Sequence, residues 1–350
     1  MVKAGVGGLL AVGALRAKKL LRWAEAPNVG PYTLADFDET VAWLSEHATV
    51  LPIVKLLEVA EPQAAEVADL LVDGRHSGRQ RTHLELLTGQ FAYLQGRFAF
   101  SLGNYMAAQP HLLVARHYGK LLDHHLLLAS VADIESTIAF YRGQFKKALQ
   151  LAQEARQWAT PHTAARLLVD EAKAYGGMGQ TYRKELRDAL DQAERLLPDV
   201  PTFEPGATSP FGLEMFYYHA GTACVRAGDE RASELAGNAI REYEALEAWG
   251  DPRASYANLA AARLDLAIAL VRCKRPDPKE AARLGVQALA MPREFHKDQV
   301  KRRLNELLGL LLGVPAWRNL PIVKELAELA KSYRPLALPA PPSRPPLSSR

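Results

Sequence analysis

Four turns in this 350-residue chain carry small residues at the same three offsets, and that spacing restricts the fold more than any other feature. Gly103 has Gly96 seven residues before it, Ala108 five after and Ala115 twelve after. Gly143 has Ser136, Ala148 and Ala155 at the same places, and Gly228 has Gly221, Ser233 and Ile240. Around Pro276 the residues are Ala269, Ala281 and Ala288. Fifteen of these sixteen positions are Gly, Ala, Ser or a turn-forming Pro, with Ile240 the exception. Two helices joined by a tight turn approach closely only where the facing side chains are small, and such positions recur along one helical face. A glycine in the turn supplies the positive φ that ends the first helix.

The surrounding sequence agrees. From about residue 34 to 333, apolar residues recur at helical spacing and are interrupted every 12–18 residues by Gly, Pro or Asp. No stretch alternates as a strand does. Ala, Leu, Arg and Glu, all good helix formers, are plentiful. A fifth turn, Gly179, has Ala172 before it, but Ala193 fits the later positions only with two residues inserted. The stretch Pro198 to Pro210 holds four prolines and marks an internal boundary.

These offsets resemble the tetratricopeptide (TPR) repeat, with Tyr105 and Phe145 matching its aromatic after the turn. The resemblance implies an all-α fold of antiparallel helix pairs wound into a right-handed superhelix, an α-solenoid, over residues 34–333. Turns lie 40 residues or more apart, so the repeats are longer than the standard ~34. The segments Phe91 to Tyr105, Ala189 to Pro198 and Tyr256 to Leu270 are similar to the C-terminal repeat domains of actinobacterial XRE-type helix-turn-helix regulators. That likeness covers roughly residues 34–312 and implies a regulatory, ligand- or peptide-sensing role in transcription. The 33 residues ahead of Leu34 are Gly-rich and show no three-helix pattern, so the DNA-binding element is expected on another protein or on a lost N-terminal part. By itself the chain is expected not to bind DNA sequence-specifically.

Composition places further bounds. With 48% hydrophobic and 23% charged residues the chain is ordinary for a globular protein, and a net charge of +4 does not mark a nucleic-acid binder. Residues 1–33 read as a flexible apolar and basic leader whose apolar run falls short of the ~20 residues a membrane span needs. Residues 334–350 read as a disordered tail, with six prolines from Pro335 onward and no acid. Cys224 and Cys273 read as buried small hydrophobes in a reducing, cytoplasmic setting.

No Walker loop, His-Glu-x-x-His, nucleophile elbow or Cys-x-x-Cys is present, so the chain reads as a non-enzyme with no implied cofactor. Gly176-Gly177-Met178-Gly179 lacks the preceding strand of a nucleotide loop. His111, His117, His124 and His125 cluster in sequence, but six- and seven-residue gaps separate them by roughly 9–10 Å along a helix, too far for one zinc ion. They read as solvated or capping side chains. The basic run Lys297, Lys301, Arg302 and Arg303 lies on a helix with the apolar face Val300, Leu304, Leu307 and Leu308, and reads as a solvated face.

A ligand is expected on the concave face, which the first helix of each pair lines. Residues thirteen, ten, six and two before the turn share one face of that helix. The first two units contribute Gln90, Tyr93, Arg97 and Ser101, then Ser130, Asp133, Thr137 and Tyr141. The Gly179 unit contributes Arg166, Val169, Lys173 and Gly177. The last two contribute Met215, Tyr218, Thr222 and Arg226, then Arg263, Leu266, Leu270 and Lys274. Six basic residues against one acid, with three tyrosines, suit a carboxylate or an acidic peptide. Long solvated side chains covering a helix remain the alternative for the arginines. The expected partner is therefore a protein or peptide, with a static protein–protein scaffold as the second function class and a homodimer left open.

Overall fold

The computed structural model describes residues 29–335 except 75, 198–210 and 252. The remainder of the leader, the expected boundary at 198–210 and nearly all of the proline-rich tail lie outside the described residues. Those described form fifteen α-helices and no strand. In chain order they are α1 Pro31–His47, α2 Ile53–Asp73, α3 Gly78–Ser101, α4 Tyr105–Leu121 and α5 His125–Tyr141. Next come α6 Phe145–Ala155, α7 Pro161–Met178, α8 Arg183–Leu196, α9 Leu213–Ala227 and α10 Ala232–Ala248. The last five are α11 Tyr256–Arg272, α12 Pro278–Leu289, α13 Asp298–Gly313, α14 Pro315–Arg318 and α15 Pro321–Ser332.

The turns repeat one device. Gly103, Gly143 and Gly228 adopt φ of 77°, 73° and 59°. The next residue then reaches back to a carbonyl five positions earlier: Asn104 to Ala99, Gln144 to Ala139 and Asp229 to Cys224. Helix-end carbonyls are thereby satisfied and the chain reverses. Asp123, at φ 49°, makes the same turn between α4 and α5, with His124 N–H bonding Gly119 O. Equivalent turns at 103, 123 and 143 thus lie twenty residues apart, and each 40-residue spacing comprises two helix–turn units.

The small residues sit where the helices meet. A Cβ on Gly96 would stand 3.0 Å from Leu112, and Ala108 and Ala115 beside it are fully buried. Ser136 donates its hydroxyl to Ala148 O at 2.9 Å across the α5–α6 pair. Gly176 and Gly177 serve the same purpose: a Cβ on one would collide with the Ala223 carbonyl, and on the other with the Phe145 ring. Two offsets differ from expectation. After Gly228 the buried residues are Ala232 and Ala239, not Ser233 and Ile240, because the turn held by Asp229 shifts the helix phase by one residue. After Gly179 a 3-10 turn, Gln180–Tyr182, inserts extra residues and brings Ala193 into the core.

Helices α3, α5, α7, α9 and α11 pack side by side in that order and are buried on nearly every face. Helices α4, α6, α8, α10 and α12 cover them from outside, each burying one stripe. Two large apolar clusters form, one from Val29 to Ile134 and one from Ala165 to Tyr333, the second drawing on helices on both sides of residues 198–210. Cys224 is buried, whereas Cys273 is exposed just past the end of α11, contrary to the expectation of two buried thiols. Among the described residues no helix is long and apolar enough to cross a membrane.

Enlarging the contact residues tests this packing. Gly96→Leu, Ala108→Leu and Ala148→Leu should each destabilise by about 1–3 kcal/mol in chemical denaturation, because the opposing helix cannot retreat without opening the core. Exposed Lys147→Leu should change stability by less than about 0.5 kcal/mol.

Candidate functional site: a polar cavity on the inner helices

The inner helices do not meet through apolar side chains alone. A cavity of about 60 Å³ lies among α3, α5, α7, α9 and α11, bounded also by the α1–α2 turn and the start of α13. Six of the thirteen expected ligand residues line it: Arg97, Asp133, Thr137, Tyr141, Arg166 and Tyr218. Lys173 and Thr222 are buried in the polar networks beside it, and Gln90 and Tyr93 are buried earlier on α3. The open surface expected of these side chains is instead largely buried in this region, around a partly open cavity. The remaining three lie elsewhere. Arg226 pairs with Glu306 at 2.9 Å and Arg263 with Glu244 at 2.8 Å. Lys274 is exposed and lines a separate cleft with Arg183, Arg187 and Cys273.

Buried charge is costly unless paired and hydrogen-bonded, and most of it here is paired. On one side, Arg166 reaches Asp133 at 3.3 Å and stands 4.8 Å over the Phe211 ring. Lys173 bonds Asp170 at 2.6 Å and Thr137 at 3.0 Å. Burial raises the Asp170 carboxyl well above the usual carboxylate range despite Lys173, and the neighbouring Asp133 adds to the rise. Burial also works to raise Asp133, but Arg166, a hydrogen bond with Asp170 and Lys173 together hold it below its ordinary value. Of the two carboxyls, Asp133 is therefore the more readily ionised.

On the other side, α13 inserts Arg303. Its Nε donates to Asp265 at 2.9 Å, Nη1 to the Tyr141 hydroxyl at 3.1 Å and Nη2 to Thr222 at 2.9 Å. Thr222 in turn donates to Asp265 at 2.7 Å. This basic run was expected to be solvated. Lys301 is half-buried and Arg302, over the Tyr105 ring, is exposed as expected, whereas Arg303 is instead 1% exposed and Lys297 4%. The reason is that α13 packs against α11 on one flank and reaches α4 and α5 on the other, through Tyr105–Asp298 and Tyr141–Gln299 contacts. At the opposite margin Ser255, which caps α11, donates to Thr49 O at 2.8 Å. Elements over 150 residues apart in sequence thereby meet around the cavity.

Two cations are left over. Arg97 and Lys297 are both more than nine-tenths buried, and among the described residues neither forms an ion pair. Nη1 of Arg97 has no hydrogen-bond partner. Asp133, whose field reaches Arg97, is already paired with Arg166. Burial, with Arg97 adding to it, lowers the Lys297 ammonium to about 8. His219, on the same cavity, is held well below its ordinary value by burial and then by Lys173, Arg166, Arg303 and Arg97. The Tyr218 hydroxyl, which lines the cavity too, has no partner.

The expected histidine cluster resolves into local roles: His124 caps α5 by accepting from Leu127 N–H, and His125 lies 3.5 Å from Asp123. Lys297, Arg303, Asp265 and Asn258 were not anticipated as site residues. Arg303 could have been, since it falls three residues after Val300 and four before Leu307, on the apolar stripe itself. Asp265 similarly interrupts the buried face of Ala261 and Ile268. Lys297 precedes its helix and carries no periodic signal. Comparison with protein-family models, curated proteins and solved structures returned no match.

The Arg303–Asp265 pair gives a direct energetic test. Arg303→Met should cost about 3–5 kcal/mol, because it leaves Asp265 buried without its counter-ion. The double variant Arg303→Met/Asp265→Leu should recover much of that loss. Strict additivity of the two single changes in denaturation would refute the pairing.

Proposed function

We propose that this chain is a non-enzymatic, TPR-like binding domain that senses a ligand at the axis of its helical array and passes the change to a partner. The carrying observation is the origin of the cavity wall. Five inner helices, the α1–α2 turn and α13 each contribute to it, so one small occupant touches segments from Ala48 to Gln299. Occupancy stabilises the arrangement in which these segments meet, and the array responds as a unit. The seam at Ser255–Thr49 is bridged by one described side-chain hydrogen bond, worth only about 0.5–1.5 kcal/mol net, and is the margin that yields first. A right-handed superhelix of antiparallel pairs is part of this reading. It is supported by the ordered stacking of the inner helices beneath the outer ones. The role in transcriptional regulation rests on the likeness to XRE-type regulators, and the cytoplasmic setting belongs to the same reading.

A static scaffold is the alternative, and the two differ in their response to an occupant. Native mass spectrometry of the intact protein should find a retained small molecule. Adding it back to stripped protein should slow amide hydrogen exchange at three remote places together: residues 48–52, 254–258 and 296–300. Partner capture with unchanged exchange and no retained molecule would favour the scaffold.

A further inference from the structure

We propose that the occupant of the axial cavity is a small oxyanion, the carboxylate or phosphate group of a metabolite, bound directly by Arg97 and Lys297. This names the ligand class for the cavity described above, and so rests on the reading of that cavity as the ligand site.

Four observations converge on an anion. The paired charges around the cavity cancel one another: Arg166 with Asp133, Lys173 with Asp170 and Arg303 with Asp265. What remains is positive, since among the described residues neither Arg97 nor Lys297 has an acid of its own. Second, the donors suit oxygen. A guanidinium offers a planar fork of N–H groups, an ammonium a compact charge and Tyr218 a free hydroxyl. Third, Lys297 is the N-cap residue of α13, a 16-residue helix whose N-terminus has no side-chain cap, and Gln299 of its first turn also lines the cavity. The unbonded N–H groups and the helix dipole favour negative charge there. Fourth, the space is small: about 60 Å³ suits a compact group such as one carboxylate or phosphate.

Lys297 is also held in place for this role. The Tyr333 hydroxyl accepts from Lys297 N–H and donates to Lys297 O, both at 3.1 Å. His296 stacks on the Tyr333 ring with centroids 3.9 Å apart. The residues ending α15 thus clamp the backbone that presents the ammonium, and Tyr333→Phe should weaken anion binding with both cations present.

The test is calorimetric titration of stripped full-length protein with inorganic phosphate and, separately, with succinate. The variants are Arg97→Met, Lys297→Met and a distant control, exposed Lys184→Met on α8. The proposal expects saturable binding of at least one anion, weakened tenfold or more in both cavity variants and unchanged in the control. The stronger of the two titrants identifies the head group. For wild type alone, repeating the titration near pH 8 in buffers of different ionisation heat should reveal proton uptake, because the anion favours charged Lys297. That readout stands even if a variant fails to fold. Binding that is equal in all four proteins, or without proton uptake, would overturn the assignment. So would a retained neutral or cationic molecule in the axial cavity, which would leave the sensing role intact while refuting the oxyanion.

Discussion

Helices can lie as close as these do only where the facing side chains are small, and the rest of the molecule follows from that contact. Gly96 against Leu112, Ser136 against Ala148 and Gly221 against Ala236 set each helix pair. Gly176 against Ala223 brings two inner helices, α7 and α9, together in the same manner. Close approach between consecutive inner helices leaves no room for solvent on their shared face. Side chains on that face are therefore buried whatever their chemistry, and polar ones must find partners inside the protein.

The inner face supplies many of those partners, although the Tyr93 and Tyr218 hydroxyls, Arg97 Nη1 and one Asp170 oxygen have none. Arg303 satisfies Asp265, Thr222 and Tyr141 at once, while Asp133 pairs with Arg166 and Asp170 with Lys173. Such networks contribute little net stability over apolar replacements, but they penalise every arrangement in which a member loses its partner. They therefore fix the register of α13 against α5, α9 and α11. Arg97 and Lys297 stand outside this balance, both beside the cavity.

Much of the inner face was legible in the sequence. Counting back from each turn at helical spacing brought Arg97, Asp133, Thr137, Tyr141, Arg166 and Tyr218 into one set, and the structure gathers them around one cavity. The count failed for Arg226, Arg263 and Lys274, near the end of their helices or in the last unit, where local acids or solvent take the side chain. Burial of the face was only partly legible: small residues bring inner helices together, but α13 closes on them from more than 150 residues away. Periodicity reports which residues share a face of one helix; it carries no information on what closes over that face. The basic run at 297–303 misled for the same reason, since alternating charge resembles a solvated surface until the opposing acids are located.

The most direct measurement of the central claim is the titration of the Lys297 side chain by NMR in protein carrying ¹³C-labelled lysine, with its resonance assigned from its absence in Lys297→Met. Arg97, Arg166, His219, Tyr218, Tyr141 and Asp133 face the same cavity, and burial, with Arg97 adding to it, lowers the ammonium. The account predicts a midpoint near 8 in the stripped protein, moving upward when phosphate or succinate is added. A midpoint at the ordinary lysine value of about 10.4, unmoved by either anion, would contradict it.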